Sequence, residues 1–262
     1  MYILLHSSKT MFTQQSTYSP TVPQFIDQAC TLQQYVAQLP IADLQRAMHI
    51  SAKLAATVHD MFQVWPKTTP TPALFAFRGD IYSGLRAADF TDADVVFAQK
   101  HLRILSGLYG VLRPLDGISP YRLEAGYRMA DEQYRDLYAF WSHYLSTAIP
   151  PREQIVNVTS AEYAKLILPF INASQIITPR FLTRTAPHND PTFVVVHAKI
   201  ARGAFARWLV RRGDDSIHGL EYFDDLGYVY DPSCSTLEEP TFICERFGGI
   251  GLSQRVTKLP SR

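Results

Sequence analysis

The chain has 262 residues, 47% hydrophobic and 19% charged, which supplies a packed core and excludes disorder over most of its length. Twenty-five basic residues stand against 24 acidic ones for a net charge of +1, so there is no global basic field to draw the protein to nucleic acid or membrane, and any such site must be local. Cys30, Cys234 and Cys244 form no CxxC pair; that excludes a disulfide framework and a structural zinc site, and fits a reducing cytoplasm.

Residues 1–9 offer only Ile3, Leu4 and Leu5 as an apolar run, short of a signal-peptide core, and no later stretch approaches the roughly 20 apolar residues of a membrane helix. A soluble protein is expected. The 2–6 segment reads as a first strand, and 22–39 and 41–62 carry helix-spaced apolar residues broken by Pro40. Thr91 and Asp94 resemble a capping box. They predict a helix through Val95, Ala98, Leu102 and Leu105 that stops at Gly107. Residues 137–145 read as helix and 155–158 as strand; Thr159 with Glu162 predicts a helix that Pro169 ends. The 175–183 and 193–197 segments are strand-like. Residues 199–212 give the clearest amphipathic pattern, with Ile200, Ala204, Phe205, Trp208 and Leu209 opposite Lys199, Arg202, Arg207 and Arg211. A hairpin around Asp224-Asp225-Leu226-Gly227 and a strand at 241–246 complete the pattern.

Strands at both ends with helices between predict an α+β fold: a single compact domain over 1–248, a mixed β-sheet covered by helices, and a flexible tail over 249–262.

The chain holds no GxxxxGK[ST] loop, HExxH pair, GxSxG elbow or deaminase pattern. The Gly248-Gly249-Ile250-Gly251 run precedes no helix that could point amides at a pyrophosphate. The histidines show no i, i+4 ligand spacing, and the acidic 214–239 stretch lacks an EF-hand register, so neither a metal nor a cofactor is expected. The basic side of the 199–212 helix has no acidic residue interspersed. It either seeks an anion or pairs with the acidic segment that follows. Arginine outnumbers lysine 18 to 7, a balance suited to phosphate or buried carboxylate. Residues 102–112 outline a helix-hairpin-helix in which Gly107 and Gly110 would let the backbone meet a DNA phosphate, although a plain glycine cap produces the same letters.

Several blocks in one order give the chain a close resemblance to the YaaA peroxide-stress family over residues 2 to about 246. They are Ser8-Lys9-Thr10, the FRGDIYSGL run at 77–85, LSGLYGVLRPLD within 102–116, Pro120-Tyr121-Arg122-Leu123-Glu124, LYAFW at 137–141, 157–163 with Lys165, and AKIARG at 198–203 with Arg207. The resemblance implies a compact α+β fold with a basic cleft and a helix-hairpin-helix-like element, DNA binding, and protection against hydrogen peroxide tied to limiting free iron. It puts Lys9, Arg78, Asp80, Tyr82, Arg122, Lys199, Arg202 and Arg207 in matching motifs; Arg103, Arg113 and Arg211 join them as candidate phosphate contacts. His6-Ser7-Ser8 stands where the family has Ser-Pro-Ala. Two readings remain. One is a DNA-binding stress protein without strong sequence preference. The other is an enzyme on a phosphorylated or nucleotide-like small substrate, with Asp80 or Glu124 as acid or base and Tyr82 as proton donor. Internal ion pairs, Arg78 with Asp80 or Arg122 with Glu124, would explain the polar blocks without either.

Overall fold

The computed structural model describes residues 1–13, 16–65, 68–128, 135–186 and 188–249; the expected tail lies outside them beyond Gly249. The central strand β1 (Tyr2–His6) has neighbours on both sides, and Ile3, Leu4 and Leu5 are fully buried in succession, the pattern of a strand covered on both faces. Parallel to it run β2 (Leu102–Ser106) and β4 (Ile155–Asn157); β3 (Gly110–Leu112) is antiparallel to β2, and β5 (Ile176–Ile177) is parallel to β4. The five-stranded order is β3-β2-β1-β4-β5. Chain order therefore runs outward from β1 in one direction and resumes at β4 in the other. A second sheet of three strands, ordered β6-β8-β7, is formed by β6 (Arg180–Thr183), β7 (Tyr228–Tyr230) and β8 (Thr241–Cys244). Among the described residues, no helix is long and apolar enough to cross a membrane.

The helices of six residues or more among the described residues are α1 (Ile26–Gln38), α2 (Ile41–Met48), α3 (Ala52–Val64), α4 (Asp80–Leu85), α5 (Asp92–His101), α6 (Leu137–Leu145) and α7 (Val195–Arg212). Pro40 separates α1 from α2 as its missing amide requires. The expected 41–62 helix is two helices, because His49 takes a left-handed conformation (φ 51°) and Ser51 caps a fresh start by accepting from the Leu54 amide. The Thr91–Asp94 capping box is present in both directions.

The predicted continuation of α5 through Leu105 is not. At Leu102 the backbone turns extended, and Leu102-Arg103-Ile104-Leu105 registers against Ile3-Leu4-Leu5-His6. A run buried on both faces carries no period of its own, so strand and helix read alike there. The helix-hairpin-helix outline is consequently a β-hairpin in which Ser106 pairs with Gly110. Residues 193–197 also differ: Phe193 and Val195 are exposed, and α7 begins at Val195. The 175–183 stretch divides between two sheets, and β7 pairs with β8 rather than with 220–223, which forms only a short 3-10 turn.

α4 and α7 meet backbone to backbone. A Cβ on Gly84 would lie 1.9 Å from the Ile200 carbonyl oxygen, and one on Gly203 would lie 1.8 Å from that of Ile81. The two backbones touch through two hydrogens.

Gly203→Ala is therefore expected to part the helices and lose about 3 kcal/mol or more in urea unfolding. Gly110 has φ +68° and the Trp141 ring 2.7 Å from its Cβ position, so Gly110→Ala is expected to destabilise by roughly 3 kcal/mol. Gly213, at φ +64° with nothing within 4 Å, should cost only about 1 kcal/mol as alanine.

Candidate functional site

A hollow of about 290 Å³ opens at the carboxyl ends of β1 and β4, lined by His6, Ser7, Ser8, Lys9, Gly79, Asp80, Ile81, Glu124, Ser160, Glu162, Tyr163 and Lys199. In sheets of this kind ligands bind where the strand order reverses, because the loops leaving adjacent strands diverge there and open a crevice. The order here reverses between β1 and β4.

Each wall has a local cause. His6, Ser7, Ser8 and Lys9 are the residues on which β1 ends. Thr10–Met11 then pairs antiparallel with Phe77–Arg78, which draws this loop against Gly79. Gly79 has φ +140°, and a Cβ there would lie 2.8 Å from Ser8 Oγ, so only glycine permits the approach. The α4–α7 contact sets Asp80 and Ile81 on one helix opposite Lys199 on the other. Beyond β4, Asn157 Oδ1 accepts from the Thr159 amide and hydroxyl, and Ser160 caps the short Ala161–Ala164 helix by accepting from the Tyr163 amide. The predicted cap at Thr159 is thus one residue early.

Beneath the hollow lies a set of buried hydroxyls. Ser7 Oγ donates to Tyr163 Oη at 3.0 Å, and Ser106 Oγ and Tyr121 Oη share a hydrogen bond of 2.7 Å. Burial raises the Tyr163 and Tyr121 phenols, so both keep their protons at neutral pH. Tyr82 Oη donates to the His6 carbonyl at 3.0 Å, and burial lifts it well above the usual phenol range. Tyr82 does not line the hollow; in the role of pocket phenol Tyr163 stands where Tyr82 was expected.

His6 is buried and stacked on Tyr163 at 5.1 Å. Burial first, then the positive charges of Arg202 and Lys199, lower its pKa to about 3. The ring is neutral at pH 7. Its Nδ1 accepts from the Ser160 amide at 3.3 Å, which leaves the proton on Nε2. Glu124 is raised, chiefly by burial and secondarily by Glu162, while Lys9 opposes the shift from 3.8 Å. Lys199 and Arg202 form no ion pair among the described residues, and burial alone lowers Arg202.

The structure separates the predicted site residues into two groups. Lys9, Asp80, Glu124 and Lys199 meet in the hollow, and Arg202 lies within electrostatic reach of it. Arg78 stands beside Gly79, donating to the Phe75 and Phe77 carbonyls with its guanidinium over the Phe12 ring. Arg122 reaches Tyr127, and its buried Nε has no partner among the described residues. No Arg122–Glu124 ion pair forms.

The remaining residues are held elsewhere. Arg103 donates to the Gln99 and Leu102 carbonyls and stacks on Tyr2. Arg113 clasps the fully buried Asp116, which also accepts from Thr21. Arg207 pairs with Asp89 at 3.6 Å, and Arg211 donates to the Asp89 carbonyl at 2.9 Å. Gly107 and Gly110 are buried within the β-hairpin, and the Gly107 carbonyl accepts from Trp141 Nε1. His6, Ser7, Glu162 and Tyr163 carried no role in the sequence reading. The usable signal was the polar His6-Ser7-Ser8-Lys9 run directly after a buried strand. Among the described residues no cluster of His, Cys, Asp and Glu is placed to hold a metal ion.

Residues 1–234 match the family model described as peroxide stress protein YaaA. A UPF0246 protein of Salinispora tropica is 45% identical over 259 residues, which covers 97% of this chain and 98% of that protein.

The lowered His6 pKa gives a pH dependence with a defined sign. The unfolded chain binds a proton near pH 6.5 and the folded chain only near 3, so stability is lost as pH falls below the unfolded value. Between pH 7 and 5 the wild type is expected to lose about 2 kcal/mol more than His6→Asn, measured as paired denaturant titrations at each pH. Asparagine keeps an acceptor for the Ser160 amide, and equal slopes in the two proteins would contradict the assignment.

Proposed function

Because this chain belongs to the family of the peroxide stress protein YaaA, we propose that it serves the response to hydrogen peroxide by gripping the backbone of DNA with the cations around the hollow. The observation that supports this is the pair Lys199 and Arg202, three residues apart on one face of α7 and without an acidic partner among the described residues. Unpaired, partly desolvated cations recover free energy on meeting a phosphate oxygen, and arginine can do so with two parallel hydrogen bonds. Lys9, with its side chain 57% exposed, extends the grip along the rim. Such contacts hold the backbone and read no base, so binding has no strong sequence preference. On this reading the protein is not an enzyme, and protection from peroxide and free-iron damage follows from cover of the DNA itself.

The footprint is smaller than the sequence suggested, since Arg103, Arg113, Arg207 and Arg211 are engaged within the fold. Counterion release makes a sharp test. With Lys9, Lys199 and Arg202 as the contacts, log affinity for a short duplex should fall against log salt with a slope of about −3, and Lys199→Ala or Arg202→Ala should each flatten it by about one. Arg103→Ala and Arg211→Ala should leave it unchanged. Affinity independent of salt, with the variants still folded by circular dichroism, would refute the phosphate grip.

A further inference from the structure

The hollow carries more chemistry than a backbone grip uses. A row of phosphates is repelled by carboxylates, and three of them, Asp80, Glu124 and Glu162, stand in the same walls as Lys9 and Lys199. Glu124 is nine-tenths buried, accepts no hydrogen bond among the described residues, and has Lys9 Nζ at 3.8 Å, too far to donate. The Glu124 side chain keeps 12% of its surface exposed, so its lone pairs face solvent rather than a protein donor, and a ligand that brings N–H or O–H donors can take the place of that water. Glu162 uses one oxygen to accept from the Gly126 amide at 2.9 Å, which fixes its direction and leaves the other oxygen open. Between these charges, the neutral His6 ring and Tyr163 stack at an interplanar angle of 26° and both line the hollow.

We propose that this hollow holds one nucleotide, with its phosphate on Lys199 and Arg202 and its nucleoside donors on Glu124 and Glu162. The segregation of charge selects the ligand. A phosphate end answers the unpaired cations; ribose hydroxyls or an exocyclic base amine answer the carboxylates, as carboxylates accept from base amines in nucleic-acid recognition. The volume of about 290 Å³ suits one such unit and excludes a duplex, and the reversal of strand order at β1 and β4 is where ligands of this kind lie in related architectures. The inference shares Lys199 and Arg202 with the DNA reading and so rests in part on it. The same recognition chemistry serves a nucleotide free in solution and one unit extruded from a strand.

The test is titration calorimetry of the full chain with adenosine 5′-monophosphate, cytidine 5′-monophosphate and inorganic phosphate, alongside anisotropy with a labelled duplex. At least one nucleotide should bind ten times more tightly than phosphate. Lys199→Ala should weaken both tenfold or more, whereas Glu124→Gln should weaken only the nucleotide. Circular dichroism verifies that each variant folds, and the wild-type titrations stand regardless. No heat from either nucleotide at millimolar concentration, or equal affinity for nucleotide and phosphate, overturns the inference. Duplex binding without nucleotide binding overturns it while leaving the DNA grip standing; nucleotide binding without duplex binding does the reverse. Stronger displacement of the bound nucleotide by a duplex with one unpaired base than by the fully paired duplex assigns the source to DNA, and equal displacement by the two assigns it to the free pool.

Discussion

Two glycines that face each other across α4 and α7 set how closely the two helices that wall the hollow approach. Gly84 fits against the backbone of Ile200 and Ala204, and Gly203 against that of Ile81 and Leu85. Because no side chain intervenes, the distance between the helices is fixed by backbone van der Waals radii, a far stiffer constraint than interdigitated leucines. Everything placed on these helices inherits that stiffness. Asp80 and Lys199 lie one turn from the crossing on their respective helices, and Gly79 leads directly into the loop that ends β1. The FRGDIYSGL and AKIARG blocks are the two halves of one joint, and their polar residues are what the joint presents.

α7 is held on its far side by different means. Phe181, Phe205, Phe223 and Phe242 form mostly edge-to-face contacts, with Phe205 and Phe223 centroids 5.0 Å apart, and Trp208 and Tyr228 extend the set. Apolar burial, non-directional and large, thus docks the second sheet on the helix. The helix has one face built for separation and one built for adhesion. Lys199 and Arg202 occupy the seam between them, where charge can remain partly hydrated while its stem is packed.

Much of this was legible in the sequence, for reasons that can be named. β1 reads as a strand because its apolar run is short and starts a chain with no competing period; the Thr91–Asp94 box reads as a helix start because reciprocal capping is local. α7 reads as a helix from its alternating faces. Failure came where two structures write the same letters. Residues 102–106 continue the spacing of α5 and are followed by glycine, so a buried central strand with a hairpin is indistinguishable from a helix with a cap. The β6–β8 pairing joins residues some sixty apart, and nothing local announces it. At the site, Lys199 and Arg202 were legible as a basic face, but which of the surrounding arginines are spent within the fold depends on Asp89 and Asp116, whose positions relative to them only the tertiary structure defines. His6 and Tyr163 were illegible because a histidine after a strand and a tyrosine on a short helix have no signature until the two strands lie side by side.

The separation between the glycine joint and the hollow has a consequence for how such a protein can diverge. The residues that set the width, Gly84, Gly203 and Gly79, touch nothing in the hollow through a side chain, since they have none. Of the residues that line it, Lys9, Glu124 and Glu162 belong to neither α4 nor α7. Gauge and chemistry are therefore inherited separately. A lineage can exchange a carboxylate or a cation in the lining and try a new ligand without reopening the spacing of the walls, whereas any side chain at the joint alters every ligand at once.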